Sequence, residues 1–190
     1  RVSYIEIYNE NITDLLAPAQ NLKLKEDPRR GVHVHDLKEV VVTSYTHVMD
    51  LIALADTNRQ TAGTDFNERS SRSHAVFQMI VESRELTEGA DNGGDDDNSA
   101  VRVSSLSLVD LAGSESMANV GSGRAEECKA INKSLQALGR VIMVLSEKSM
   151  GKKGAFIPYR DSKLTRILQS GLGGNAMTSI ICAMSPVAEN

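Results

Sequence analysis

The sequence contains no tryptophan, only two cysteines and four prolines, and just 4% aromatic residues in 190 positions. Cys128 and Cys182 stand far apart, with no C-x-x-C pair and no histidine at ligand spacing, so neither a disulfide framework nor a zinc site is indicated. A reducing compartment fits that usage. His33, His35, His47 and His74 show no metal-ligand spacing with acids or cysteines. The few aromatics are not interleaved with basic residues, which argues against a base-stacking platform and hence against a nucleic-acid partner. Apolar runs such as Thr178 to Met184 are too short for a membrane-spanning helix, so no membrane partner is expected.

What is present is charge, unevenly placed. Lys and Arg number 21 against 25 Asp and Glu, a formal net charge of −4. The window from Glu85 to Asp97 holds six acids and no base, so the rest of the chain carries +2. From Ser146 to Asn190 six bases face three acids, a local +3. An acidic total thus hides a basic C-terminal region that suits a polyanionic partner.

The length and composition fit one domain with a sizeable core. Val2 to Tyr8 alternates apolar and polar residues and reads as a strand, followed by a turn at Asn9 to Asn11 and a short helical turn to Leu16. Leu22 to Lys25, Val32 to His35 and Val40 to Val42 read as short hairpin strands between proline and glycine signals. Val48, Leu51, Ile52 and Ala55 have amphipathic helix spacing over Thr46 to Asn58, with Thr46 as the expected N-cap. His74 to Glu82 predicts a strand. Thr87 to Ser99, all Gly, Asp, Asn and other small or polar residues, predicts a disordered acidic surface loop. Val103 to Val109 predicts a buried strand delivering Asp110 at its end. Arg124 to Leu145 predicts a long helix interrupted by Gly139, Asp161 to Leu168 another, and Ala176 to Met184 a last strand. Alternation of strands and helices predicts an α/β layered fold.

Three segments carry chemistry. Asn67-Glu-Arg-Ser-Ser-Arg-Ser-His74 offers adjacent hydroxyls for a phosphate or Mg²⁺ and an Arg for a carboxylate or phosphoryl group, though such loops also serve as plain solvated turns. Asp110-Leu-Ala-Gly113-Ser-Glu115 follows a strand, where an Asp can hold a metal's water and Gly113 can bring an amide to a phosphate; a capping Asp is the alternative. In Phe156 to Arg166, Arg160, Lys163 and Arg166 fall three apart, predicting a basic stripe on one helix face, or a solvated flank. Gly171-Leu-Gly-Gly-Asn reads as a helix C-cap and turn.

Taken in order, Val2-Ser-Tyr-Ile-Glu-Ile-Tyr-Asn-Glu, Asn67 to His74, Leu108-Val-Asp-Leu-Ala-Gly-Ser-Glu115, Ile131-Asn-Lys-Ser-Leu and Ile157 to Arg166 together resemble a kinesin motor domain, most closely its mitotic, centromere-associated branch. The resemblance covers nearly the whole chain outside Thr87 to Ser99. It implies an α/β three-layer sheet flanked by helices, like that of P-loop nucleoside triphosphatases, and a microtubule-stimulated ATPase using ATP and Mg²⁺. By the same resemblance Asn67, Ser70, Ser71, Asp110 and Gly113 would bind nucleotide. Ser71 and, through water, Asp110 would hold Mg²⁺. Ser71, Arg72 and Glu115 would be catalytic, with Arg72 paired to Glu115 and Glu115 relaying a proton from the attacking water.

The resemblance further assigns Lys148, Lys152, Lys153, Tyr159, Arg160, Lys163 and Arg166 to the microtubule face, with Arg29 and Arg30 as a second contact, and makes Ala125 to Leu145 a switch-linked helix. It implies a cytoplasmic, cytoskeletal protein, with the spindle as one setting and a homodimer formed through a stalk. The family's G-x-x-x-x-G-K-[ST] phosphate loop does not occur in these residues. The expectation is therefore that residues 1–190 are the central and C-terminal part of one motor domain, an incomplete sheet inactive by itself as an ATPase. A catalytically silent microtubule- or partner-binding module is the alternative.

Overall fold

A computed structural model describes residues 1–17, 19–28, 30–61, 71–84, 101–114, 125–152, 154–174 and 176–183. Its main sheet contains β1 (Val2–Tyr8), β2 (Asn11–Asp14), β5 (His74–Arg84) and β6 (Val101–Asp110) in the order β2-β1-β5-β6, each neighbouring pair antiparallel. A separate hairpin joins β3 (Leu24–Asp27) to β4 (Gly31–Val34). The helices are α1 (Tyr45–Thr61), α2 (Ala125–Ser149), α3 (Lys163–Ile167) and α4 (Gln169–Gly173), with a 3-10 turn at Tyr159–Asp161.

Strand parity sorts the side chains into three layers. On one face of the sheet Val2, Tyr4, Phe77 and Met79 pack with Ala55, Leu51, Ile52 and Val48 of α1. Tyr4 and Phe77 are direct register partners, their rings meeting edge to face at 5.6 Å. On the other face Ile5, Ile7, Ile12 and Val76 pack with Leu138 of α2, Leu164 and Ile167 of α3, and Leu24 and Val34 of the hairpin. Full burial of a side chain such as Leu164 contributes about 1.5–3 kcal/mol. The layered α/β fold expected from the sequence is present.

Several local expectations are corrected. The segment after Asn9 is a strand, β2, rather than a helical turn, because Asn9 and Glu10 both take positive φ (48° and 57°) and close a two-residue hairpin. Asp14 ends that strand, buried, accepting from the amides of Leu16 and Lys38 at 2.8 Å each. Val40 forms a single bridge to Val2 and no hairpin strand. Helix α1 is capped by Ser44, whose Oγ accepts from His47 N–H at 3.2 Å, two residues earlier than the Thr46 cap expected. Strand β6 is exposed along its entire length, not buried, because among the described residues it joins neither apolar cluster and its outer edge has no paired strand. Residues 176–183 form no strand, pairing with none of the described strands. The acidic segment Thr87 to Ser99 lies outside the described residues.

The basic stripe is also rearranged. Ser162 adopts extended φ −146°, ψ 159° and caps α3 by accepting from Thr165 N–H at 3.1 Å. That break separates Arg160, in the 3-10 turn, from Lys163 and Arg166 in the helix, so the three do not share one helical face. Gly174 does cap α4, donating its N–H to Ser170 O.

Candidate nucleotide-switch site and basic face

The end of the sheet where β5 begins and β6 finishes collects the described members of the two chemical segments. Ser71 and Arg72 form the turn into β5, with Arg72, Ser73 and His74 buried. The register pairs Ala75 with Asp110, setting the carboxylate at the end of β6 beside the start of β5. Beyond it the Gly113 amide donates to Ser71 O at 2.7 Å, joining the two segments by their backbones. Ser71, Asp110 and Gly113 are thus brought together. Asn67, Ser70 and Glu115 lie outside the described residues, so the expected pairing of Arg72 with Glu115 does too.

Each face of this sheet end is gripped by a helix. On the α1 face, Arg59 in the last turn of α1 reaches across the strands. Its Nη2 donates to Ser73 O at 3.2 Å and to Ser73 Oγ at 3.0 Å, its Nη1 lies 3.4 Å from Asp110 Oδ2, and its Nε lies 3.7 Å from Glu6 Oε1. Glu6 is fully buried, while the Asp110 side chain is 71% exposed. One guanidinium therefore balances a buried carboxylate and orients an open one. On the opposite face, Ala112 N–H donates to His74 Nδ1 at 2.9 Å, and His74 Nε2 lies 2.8 Å from Ser134 Oγ of α2. Burial pushes the imidazole down to about 4, with Asp110 opposing the shift and Arg59 adding to it. His74 is neutral at physiological pH.

Sequence reasoning singled out neither Arg59 nor Glu6. The available signal was Glu6 standing between Ile5 and Ile7 in a strand, an acid whose burial demands a cation, and Arg59 at the end of an amphipathic helix.

As a cation site, a hydroxyl at Ser71 and an open carboxylate at Asp110 supply the hard oxygen donors that Mg²⁺ takes alongside several waters. The donor set fits that ion. No cluster of three His, Cys, Asp or Glu side chains able to hold a metal occurs among the described residues.

The basic residues lie elsewhere, on α2, the loop after it and α3. Lys148 is exposed in the last turn of α2, and Lys152 pairs with Glu147 at 2.9 Å. Arg160 and Arg166 converge on Glu26 of the hairpin at 3.3 and 3.6 Å, and the Lys163 backbone N–H donates to Glu10 Oε2 at 3.0 Å. Tyr159 is half-buried, packed where its hydroxyl crowds Gly173. Lys153 lies outside the described residues, as does Arg29 of the second expected contact.

The structure is a layered α/β domain in which two loops are hydrogen-bonded together at one end of the sheet. The kinesin motor domain family matches residues 1–190. The chain is 50% identical to kinesin-related protein 11 of Dictyostelium discoideum, over all of this chain and 28% of that protein. It is also 50% identical to human centromere-associated protein E, over 99% of this chain and 7% of that protein. A solved fast kinesin superposes with a TM-score of 0.77 at 43% identity, over 92% of this chain and 46% of that one. The chain belongs to the kinesin motor-domain family, and it spans under a third of the length of these curated relatives.

Proposed function

We propose that residues 1–190 are the central and C-terminal part of one motor domain that, in the complete protein, hydrolyses ATP and moves on microtubules in the cytoplasm. The observation that carries this reading is the 2.7 Å bond from Gly113 N–H to Ser71 O, with Asp110 held alongside by Arg59. It joins the two loops that a γ-phosphate would have to address together. The amide that would sense the phosphate is already satisfied by a carbonyl, so nucleotide binding and release have a defined bond to exchange.

In this reading the Ser71 hydroxyl and, through water, Asp110 would hold Mg²⁺, which when bound would neutralise phosphate charge. Asn67, Ser70 and Gly113 contact the phosphates. Arg72 and Glu115 pair to close the site, and Glu115 takes the proton of the attacking water. Positioning and charge stabilisation provide most of the rate in such phosphoryl transfer. Lys148, Lys152, Lys153, Tyr159, Arg160, Lys163 and Arg166 form the face for the acidic filament, an attraction screened by salt. Likeness to human centromere-associated protein E favours a spindle setting.

Residues 1–190 contain no G-x-x-x-x-G-K-[ST], and we infer that they alone neither bind ATP tightly nor turn it over. The test is steady-state hydrolysis by the full-length protein with and without microtubules. Stimulated turnover that vanishes in Glu115→Ala is the expected result. Filament binding with no turnover by the unmodified protein would replace the motor reading with a silent binding module.

A further inference from the structure

Two consecutive amides of the second loop are held by groups only three residues apart on the first. Gly113 N–H donates to Ser71 O, and Ala112 N–H donates to His74 Nδ1. The second of these bonds continues. Because Nδ1 accepts, the ring proton sits on Nε2 and donates to Ser134 Oγ, whose own proton is committed to Ile131 O at 2.7 Å. The result is a directed chain from Ala112 through His74 and Ser134 into the backbone of α2.

Ala112, His74 and Ser134 are all buried, so water cannot substitute for a bond that opens. Strand parity explains the placement: His74 shares the face of Val76, which packs with α2 and α3, while Ser73 faces Arg59 on the other side. Helix α2, 25 residues long, carries on from Ser134 to Lys148 in its last turn, where the basic segment starts.

We propose that His74 is a positioning residue that aims the Ala112–Gly113 amides of the second loop and, through Ser134, makes α2 follow any displacement of them. This rests on the motor reading above and extends it to the route between nucleotide and filament. Shifting Ala112 opens a buried hydrogen bond unless α2 moves with it. The burial that keeps the imidazole neutral also keeps both of its bonds in place.

The variants that test this divide the two bonds of the imidazole. Asparagine places an oxygen near Nδ1, keeping an acceptor for Ala112 without reaching Ser134. Glutamine places a donor near Nε2, keeping Ser134 without an acceptor for Ala112. In the full-length protein Ser134→Ala and His74→Asn should each lower the ratio of microtubule-stimulated to basal hydrolysis about tenfold, and together no further. His74→Gln should lower stimulated and basal turnover alike. A normal ratio in Ser134→Ala and His74→Asn, or losses that simply follow the melting temperatures, would overturn the proposal.

Amide hydrogen exchange of the same proteins separates this from failure of the motor reading. Ser134→Ala should accelerate exchange at Ala112 and Gly113 whether or not the protein hydrolyses ATP. Unaccelerated exchange there overturns the coupling, whereas accelerated exchange in a protein without turnover leaves the coupling standing and removes only the motor.

Discussion

Strands β1 and β6 lie in one sheet, yet they occupy opposite environments. In β1, Val2, Ser3, Ile5, Glu6 and Ile7 are buried from both faces, between α1 on one side and α2, α3 and the hairpin on the other. In β6, Val103 is 62% exposed and Leu106 52%, and the outer ladder of the strand has no partner among the described residues. Both strands are rich in apolar residues. Composition therefore sets what a strand can bury, while the neighbouring elements decide what it does bury.

The largest expected effect tests that contrast. Ile7→Ala should cost about 2–5 kcal/mol in denaturant unfolding of the 190-residue chain, through lost transfer energy and a residual cavity. Leu106→Ala should cost less than about 1 kcal/mol there, since half of that side chain already meets solvent. In the full-length protein the Leu106 cost should rise to the core value, because the apolar alternation of β6 suits a covered strand. Equal costs in the short chain would show that β6 is protected as β1 is.

The buried side of the sheet should also carry a pH signature. His74 titrates at about 4 when folded, below its ordinary 6.5, so the unfolded chain takes up the proton first. Its stabilising contribution is present in full above about 6.5 and falls as pH drops toward 4, by about 2 kcal/mol at pH 5. Asp110 and Arg59 are the charged groups acting on the ring from the β6 and α1 sides. His74→Asn should flatten the fall in a chemical-denaturation series from pH 7 to 4. An unchanged slope would place the titration in other groups.

How much of this was legible in the sequence differs between the same two regions. Where apolar periodicity met helix or strand spacing, as in Val2 to Tyr8 and Val48 to Ala55, the element and its inward face were readable; for α2 the helix was readable, but its buried line runs through Ala137 and Val141 and leaves Ile142 exposed. The turn at Asn9 and Glu10 was readable, but the hairpin it closes was not, because a glutamate at positive φ is uncommon and its turn type is fixed by the strands it joins. The cap at Ser44 was missed because Thr46, two residues on, has equal capping chemistry. Of the candidate site, the sequence order of Ser71, Asp110 and Gly113 was readable as chemistry. The Arg59 clamp and the His74 bridge were not, since both join residues distant in sequence and depend on which face each strand presents.

Two glycines repeat the contrast between tight and open packing on a smaller scale. A Cβ on Gly174 would lie 2.4 Å from the Ser170 carbonyl oxygen, a backbone atom that cannot swing away. Gly174→Ala should cost about 1–3 kcal/mol. Gly139, exposed in the middle of α2, would place its Cβ in open space. Gly139→Ala should stabilise by about 0.5–1 kcal/mol by reducing the freedom of the unfolded chain. Thermal melts of the two variants should move in opposite directions, and a loss at Gly139 would mean that another segment lies against α2 there.

The smallest effect concerns the open, charged side. Glu26 draws Arg160 and Arg166 together, but Glu26 is half exposed and Arg160 more so, and such pairs are solvated and salt-screened. Glu26→Gln should therefore change stability by less than about 0.5 kcal/mol. What it alters is availability: two cations proposed for the filament no longer share an intramolecular carboxylate. Co-sedimentation with microtubules at low salt should strengthen about twofold, and the gain should vanish as salt shortens the reach of the freed charge. Weaker binding at low salt would instead mean that Glu26 orients the two arginines for the filament, so that the pair is part of the docking face and not a competitor for it.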